Sequence, residues 1–138
     1  MIILSAEKLA SIRRILNESK TIAVVGLSPK PNRPSHRVAT YLMEAGYTVI
    51  PVNPGQDNIL GRTCYPNLKA VPVQVDMVDI FHRSETVLPI VEDAIAIGAK
   101  YIWMQEGIVN EDAAAKAEAA GLEVIMDRCT KTDHMNLL

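Results

Sequence analysis

The chain has 138 residues, of which 49% are hydrophobic and 22% are charged, and its formal net charge at pH 7 is -2. A chain of this length fits one domain that buries about two-thirds of the surface its unfolded form exposes. This charge balance predicts neither a nucleic acid nor a membrane as a partner, and no apolar run approaches the roughly 18 residues that a membrane span needs. We therefore predict a single cytoplasmic domain over residues 1–138, in which any anion binding is local.

The chain contains two cysteines, Cys64 and Cys129. They form no CxxC motif, and no Cys/His spacing typical of a zinc site is present. Two reduced thiols are therefore predicted, with neither a disulfide framework nor a structural metal.

Helix signals and apolar runs alternate along the chain. Helices are predicted at about 5–18, 35–45, 86–97 and 110–120, and strands at about 21–26, 47–52, 75–81, 101–104 and 123–127. The segment 53–72 is rich in Gly, Pro and Asn, which predicts a surface connection with one helical turn near Leu68. The tail 128–138 is too short for a further unit, and we expect it to pack over the sheet edge or cross a ligand cleft.

The strands are nearly continuous in apolar character, which is typical of parallel strands buried on both faces. Alternating strands and helices with right-handed crossovers predict an α/β fold: a Rossmann-like, doubly wound, five-stranded parallel sheet, most simply in the order 3-2-1-4-5. In that order the topological switch lies between the first and fourth strands. The predicted crevice is then lined by residues 26–34 and 105–107.

The stretch TIAVVGLSPKPNRPSHR, residues 21–37, has the pattern of a strand, a loop and a helix. The loop holds three prolines and two basic residues but no acid, and Ser35 is an acceptable N-cap. Backbone N–H groups at such a helix start attract phosphate, and Lys30, Arg33 and Arg37 add positive charge. A phosphate-bearing ligand is predicted here, with a purine able to lie against residues 52–54.

Two common nucleotide-binding motifs are absent. The dinucleotide fingerprint G-x-G-x-x-G fails because Gly26 is followed by LSPK, and the second strand ends in Val52 and Asn53 without an acid for a ribose hydroxyl. The P-loop pattern is missing too. NAD is disfavoured by these observations, although an NAD(P)-binding domain remains an alternative.

Six ordered pieces of the chain carry a family resemblance. They are VVGLSPKPNRPSHRVATYL, VIPVNP, LGRTCYPNL, VDIFHRSE, AIAIGAKYIWMQEGIVNEDAAAKAEAAGL and MDRC. Together they resemble the small single-domain CoA-binding proteins related to the N-terminal domain of the succinyl-CoA synthetase α-subunit, from about residue 10 to the end. The resemblance implies a Rossmann-like domain that binds coenzyme A.

The resemblance also implies positions for the ligand contacts. The phosphate-contacting turn of the synthetase is similar to 28–32 here, and its contact after the second strand falls in 52–56, where Gln56 replaces a lysine. The synthetase's I-T-E-G segment is similar to residues 104–107. After the third strand the small members of the family usually read FRRSE, whereas this chain reads FHRSE and retains Arg83. The predicted ligand-contacting residues are Gly26, Leu27, Ser28, Lys30, Arg33, Ser35, Val52, Asn53, Pro54, Arg83, Gln105 and Glu106.

Two classes of function follow. The synthetase uses a phosphorylated histidine on a second domain, so the resemblance favours a non-catalytic module that binds CoA or an acyl-CoA as carrier, sensor or regulatory partner. The alternative is a small enzyme that acts on an acyl-CoA or another nucleotide-bearing substrate through Glu106, His36 or Cys129. No catalytic residue is assigned, because the three histidines have no triad or metal-site spacing.

Overall fold

Five parallel strands and five helices make up most of the protein, whose computed structural model describes residues 4–138. The first three residues of the predicted domain lie outside this range. The helices are α1 (Ala6–Glu18), α2 (Pro34–Glu44), α3 (Val87–Ala96), α4 (Glu111–Ala119) and α5 (Thr130–Leu137). The strands are β1 (Thr21–Val25), β2 (Thr48–Val52), β3 (Asn58–Ile59), β4 (Arg62–Thr63), β5 (Met77–Ile80), β6 (Tyr101–Met104) and β7 (Glu123–Ile125).

The large sheet has the order β2-β1-β5-β6-β7, and all of its neighbouring strands are parallel. The predicted α/β class and the five-stranded, doubly wound, Rossmann-like sheet are confirmed. The two short strands β3 and β4 form a separate antiparallel pair inside the predicted surface connection. The predicted helical turn is present there as a 3-10 helix at Leu68–Ala70.

The placement of the third long strand differs from the prediction. Numbered along the chain, the five long strands lie in the order 2-1-3-4-5, because β5 pairs with β1 instead of lying outside β2. Strand and helix alternation is the same in both orders, so it cannot decide between them. Tyr65 occupies the outer edge of β2: its N–H donates to the Pro51 carbonyl, and the Asn53 N–H donates to the Tyr65 carbonyl. The topological switch therefore lies between β1 and β5.

Both faces of the sheet are covered. Helices α1, α2 and α5 pack on one face, where Ile15, Leu42 and Trp103 belong to one buried cluster. Helices α3 and α4 cover the other face, where Val91, Ala117 and other buried side chains form a second cluster. Trp103 is fully buried, as predicted for a central strand. Among residues 4–138, no helix is both long and apolar enough to cross a membrane.

The tail forms helix α5, although its sequence TKTDHMNL has no apolar periodicity. Specific polar contacts hold it against the other elements. The Arg128 guanidinium donates to both oxygens of Asp133, at 2.7 and 2.6 Å, and Trp103 Nε1 donates to the Arg128 carbonyl at 2.7 Å. Tyr41 Oη lies 2.7 Å from His134 Nδ1. Hydrogen bonds thus fix a helix that an amphipathic pattern does not predict.

Candidate functional site

Gly26 begins the loop that links β1 to α2, and its backbone lies against the end of β5. Its N–H donates to the Val52 carbonyl at 2.8 Å, and its φ is +85°. A Cβ at this position would lie 2.0 Å from the Phe81 carbonyl oxygen. Only glycine fits this conformation and this close approach, so Gly26 fixes where the loop leaves the sheet.

Hydrogen bonds within the loop hold it against the start of α2. Ser28 Oγ accepts from the Lys30 N–H at 3.1 Å, and Ser35 Oγ accepts from the Ser28 N–H at 3.0 Å. His36 Nδ1 lies 3.0 Å from the Ser28 carbonyl oxygen. The loop conformation is therefore fixed by side chains of the helix that it precedes.

The predicted N-cap at Ser35 is corrected by the structure. Arg33 is the N-cap of α2, Pro34 follows it as the first helical residue, and no side chain caps the helix. The reason is that the fixed φ of proline suits the first helical position, which places Ser35 inside the first turn. Pro34 has no N–H, and the His36 N–H donates to the Arg33 carbonyl at 3.1 Å, which leaves the Ser35 N–H of the first turn for an anionic ligand.

A cationic pocket of about 400 Å³ lies over this helix start. It is lined by Gly26, Ser28, Lys30, Arg33, Pro34, Ser35 and Phe81. Lys30 and Arg33 are exposed, and within residues 4–138 neither has a carboxylate within 4.0 Å. Arg37 instead donates to the Asn32 carbonyl at 2.7 Å. Two unpaired cations beside an uncapped helix start therefore favour an anion in this pocket.

A more apolar pocket of about 260 Å³ adjoins the cationic pocket, and Gly26 lines both. Its walls are Val25, Gly26, Val52, Asn53, Pro54, Pro66, Asn67, Leu68, His82, Ile90 and Asp93. The structure therefore brings most of the predicted contacts to one edge of the sheet. The exception within this group is Leu27, which is fully buried, although its carbonyl accepts from Asn53 Nδ2 at 2.8 Å.

Three predicted contacts lie elsewhere. Arg83 is exposed, 3.9 Å from Glu85, and lines neither pocket. Gln105 is 4% exposed, and its side chain points into the protein. Glu106 lines a third pocket, of about 360 Å³, together with Cys129 and Arg128. Because β5 separates β1 from β6, the end of β6 does not border the loop after β1 as the predicted strand order required.

The candidate catalytic groups are divided between two places. Glu106 and Cys129 share the third pocket, whereas His36 lies at the start of α2 with its Nδ1 turned to Ser28. In the described part of the chain, no group of three His, Cys, Asp or Glu residues could hold a metal ion.

Several pocket residues were not identified from the sequence. The predicted ligand contacts do not include four residues that line the apolar pocket: His82, Asn67, Ile90 and Asp93. Asp93 lies on a helix that the sequence assigns to packing, and Asn67 lies in the irregular connection. The sequence contains one indirect signal for these residues. Once the topological switch is placed between β1 and β5, residues that follow β5 are expected to line the crevice.

A buried carboxyl group lies beneath the ends of β5 and β6. Asp79 is fully buried and accepts from Gln105 Nε2 at 2.6 Å and from Thr130 Oγ1 at 3.0 Å. The sequence predicts that Asp79 is buried only with a partner, and these contacts confirm it. Burial raises the pKa of Asp79 to about 7, and the hydrogen bonds from Gln105 and Thr130 oppose this rise.

The raised pKa of Asp79 predicts a pH-dependent stability. The folded protein binds this proton more tightly than the unfolded chain, whose Asp pKa is 3.8, so the free energy of unfolding falls as the pH rises from about 4 to about 7. Asp79→Asn removes this titration and is expected to flatten the decline. Urea unfolding at several pH values measures the free energy of unfolding and its slope against pH. Asp112→Asn, at an exposed position, is the control and is expected to keep the slope of the parent protein. An unchanged slope in Asp79→Asn would contradict the assignment.

Parallel strands, covering helices on both faces and neighbouring pockets at the carboxyl ends of the strands define a Rossmann-like α/β domain. The chain belongs to the CoA binding domain family, which it matches over residues 20–135.

Relatives of two kinds are similar to the chain. The uncharacterized protein YneT of Bacillus subtilis is 43% identical over 125 residues, which cover 91% of this chain and 93% of YneT. A hypothetical protein from Pyrococcus horikoshii is 40% identical with a TM-score of 0.93, and the match covers 99% of this chain and 98% of that one.

The second kind of relative is a much larger enzyme. Acetate–CoA ligase [ADP-forming] I of Archaeoglobus fulgidus is 27% identical over 120 residues, which cover 80% of this chain but 18% of the ligase. In the apo dinucleotide-forming acetyl-coenzyme A synthetase 1 of Ca. Korarchaeum cryptofilum, 27% of that chain matches 83% of this one, with 31% identity and a TM-score of 0.72. The chain is thus similar to one domain of these enzymes.

Proposed function

We propose that this protein binds coenzyme A or an acyl-CoA in the two neighbouring pockets at the carboxyl ends of β1, β2 and β5. The carrying observation is the unpaired cationic pair Lys30 and Arg33 at the uncapped start of α2, beside a pocket with apolar walls that shares Gly26. Family membership and the similarity to CoA ligases support the same ligand.

The two pockets suit the two chemistries of this ligand. Coenzyme A has a phosphate-rich part, for which cations and backbone N–H groups are suitable partners. It also has a flat base, for which walls such as Val25, Val52 and Pro54 provide apolar contact. A dinucleotide such as NAD finds no acidic side chain at the end of β2, where Asn53 is already bonded to the loop.

Within this proposal the protein is a binding, carrier or regulatory module. Nucleophilic catalysis needs a nucleophile in hydrogen-bond contact with a base. Among residues 4–138, the hydrogen bonds around the proposed phosphate site join no such pair. Of the candidate reactive groups, Glu106 and Cys129 share a separate pocket, whereas His36 lies at the start of α2 with its Nδ1 turned to Ser28. An enzymatic route through Glu106 or Cys129 would therefore require the acyl end of the ligand to reach that separate pocket.

The direct test is calorimetric titration of ligand-stripped protein with coenzyme A, acetyl-CoA, NAD and NADP at one ionic strength. We expect micromolar or tighter binding of coenzyme A and acetyl-CoA, and much weaker binding of the dinucleotides. An absence of CoA binding by folded protein would overturn the proposal. Turnover of acetyl-CoA that is lost in Glu106→Gln, His36→Ala or Cys129→Ser would instead support the enzymatic alternative.

A further inference from the structure

A further pocket, of about 510 Å³, lies where α2, the turn between β3 and β4, and α5 meet. We call it the lateral pocket. Among residues 4–138, none that lines it also lines the cationic or the apolar pocket. Its lining residues are Pro31, His36, Arg37, Thr40, Tyr41, Glu44, Leu60 and Lys131. Because three elements that are distant in sequence build it, the lateral pocket is a product of the tertiary fold and lies apart from the proposed CoA site.

Lys131, in the first turn of α5, is a cation of this pocket. Its Nζ lies 5.8 Å from the centroid of the Tyr41 ring, in a cation–π contact. No carboxylate oxygen of residues 4–138 lies within 4.0 Å of this nitrogen. The preceding residue, Thr130, is buried and donates to Asp79 at 3.0 Å, which holds the start of α5 in place. A partly buried cation that is held in position without a counter-ion favours an anion as its partner.

Arg37 supplies a second cation. Its Nη1 donates to the Asn32 carbonyl at 2.7 Å, which leaves the donors on Nε and Nη2 for a ligand. Within the described chain, residues 4–138, Arg37 also has no carboxylate within 4.0 Å. With His36 counted as neutral, two cations and the carboxylate of Glu44 give the pocket one net positive charge. This balance suits a monoanion better than a phosphate dianion, which Glu44 would repel.

Leu60 gives the lateral pocket an apolar wall. Leu60 and Gly61 form the two-residue turn between β3 and β4, with φ values of 55° and 72°. Asparagine, aspartate or glycine is usual at such left-handed positions, and a leucine there is strained. A strained residue persists where its surroundings require it. Here the Leu60 side chain packs against the core cluster beneath α2 and lines the same pocket as the two cations.

These groups match a ligand with a charged end and an apolar body. We propose that the lateral pocket binds a small monocarboxylate with an aliphatic chain, whose carboxylate pairs with Lys131 and Arg37 while its chain lies against Leu60. Ammonium and guanidinium groups are suitable partners for a carboxylate, and an aliphatic wall gains from burying methylene groups. This site goes beyond the proposed function, because it binds its ligand without CoA and uses none of the residues that line the proposed CoA pockets.

The probe for this site is hexanoate, titrated into isotope-labelled protein at constant ionic strength while NMR follows the backbone amides of Thr40, Leu60 and Lys131. We expect saturable shifts of these signals and a Kd of about 1 mM or tighter. Acetate should bind at least about tenfold more weakly, because each buried methylene contributes about fourfold in affinity. Hexanamide, which has the same chain without the charge, should cause no saturable shifts.

Two variants separate the charged and the apolar halves of the site. Lys131→Met removes the charge and keeps an extended side chain, so hexanoate should bind about fivefold or more weakly. Leu60→Asn places a residue that tolerates the left-handed backbone but lacks the aliphatic wall, so the affinities for hexanoate and acetate should differ by less than about threefold. Lys100→Met, at an exposed position before β6, is the matched control and should change neither affinity. Circular dichroism checks that all variants are folded.

The contrary results are distinct. Absence of saturable shifts in the folded parent protein would overturn the proposal, and so would equal binding of hexanamide. Unchanged binding of hexanoate in Lys131→Met would overturn the role of this cation. Saturating coenzyme A should leave hexanoate bound, and displacement of hexanoate by coenzyme A would contradict a separate site. Because hexanoate is titrated without coenzyme A, a failure to bind coenzyme A would overturn the proposed function alone.

Discussion

Gly26→Ala is expected to lower the free energy of unfolding by about 3 kcal/mol or more, because a strained backbone and a steric clash act together. The φ of +85° disfavours any residue with a Cβ, and the added carbon would lie 2.0 Å from the Phe81 carbonyl oxygen. That oxygen is backbone and cannot move away as a flexible side chain could. Urea unfolding followed by circular dichroism measures the loss.

Gly107→Ala is the matched control for this prediction. Gly107 has a similar φ of +81°, but a Cβ there would have nothing within 4 Å. Only the backbone strain remains, so we expect a loss of about 1 to 2 kcal/mol. Equal losses in the two variants would show that the contact with Phe81 relaxes at little cost. That result would contradict the view that this contact fixes the position of the loop.

Removal of the two exposed cations of the cationic pocket is expected to have the largest effect on ligand affinity. Each charge-assisted hydrogen bond to a phosphate contributes about 1.5 to 3 kcal/mol, so Lys30→Ala and Arg33→Ala should each weaken CoA binding by about tenfold or more. The double variant should lose about a hundredfold or more if the two contacts are independent. Calorimetric titration provides these affinities.

The control for this prediction is Arg62→Ala, which removes an equal charge from β4, outside both pockets. We expect its CoA affinity to stay within about threefold of the parent value. Affinity should also depend less on salt in the double variant, because screening acts on the charges that were removed. Unchanged affinity in both single variants would refute the phosphate site.

The fold class can be predicted from the sequence because the patterns that indicate helices and strands lie within short segments of the chain. The first strand is predicted at 21–26 and observed at Thr21–Val25, and the third helix begins within the predicted range, with Pro89 in its first turn. The strand order depends on which edge of β1 the third long strand joins. This pairing is determined by the contacts of Tyr65 along β2 and by packing between segments that are distant in sequence. No local sequence pattern indicates these contacts.

The site was predictable only in part for the same reason. Residues 26–35 belong to one strand, loop and helix start, so their proximity follows from chain order. Asp93 lies on a helix that the sequence assigns to packing, and Asn67 lies in the irregular connection. Both line the apolar pocket because of which strands neighbour β1 in the sheet. The position of Gln105 directly after a strand predicts that it lines the crevice, whereas its side chain turns inward to Asp79. Strand position therefore identifies the edge but not the direction of a side chain.

The bridge between Tyr65 and the outer side of β2 bears on how copies of this protein behave at high concentration. β2 is an edge strand, and free edge groups are templates for strand pairing between molecules. Here the Pro51 carbonyl and the Asn53 N–H are both engaged by Tyr65, and Pro51 has no N–H to offer. A second chain therefore finds little free backbone at this end of β2, which protects the protein against aggregation by sheet extension.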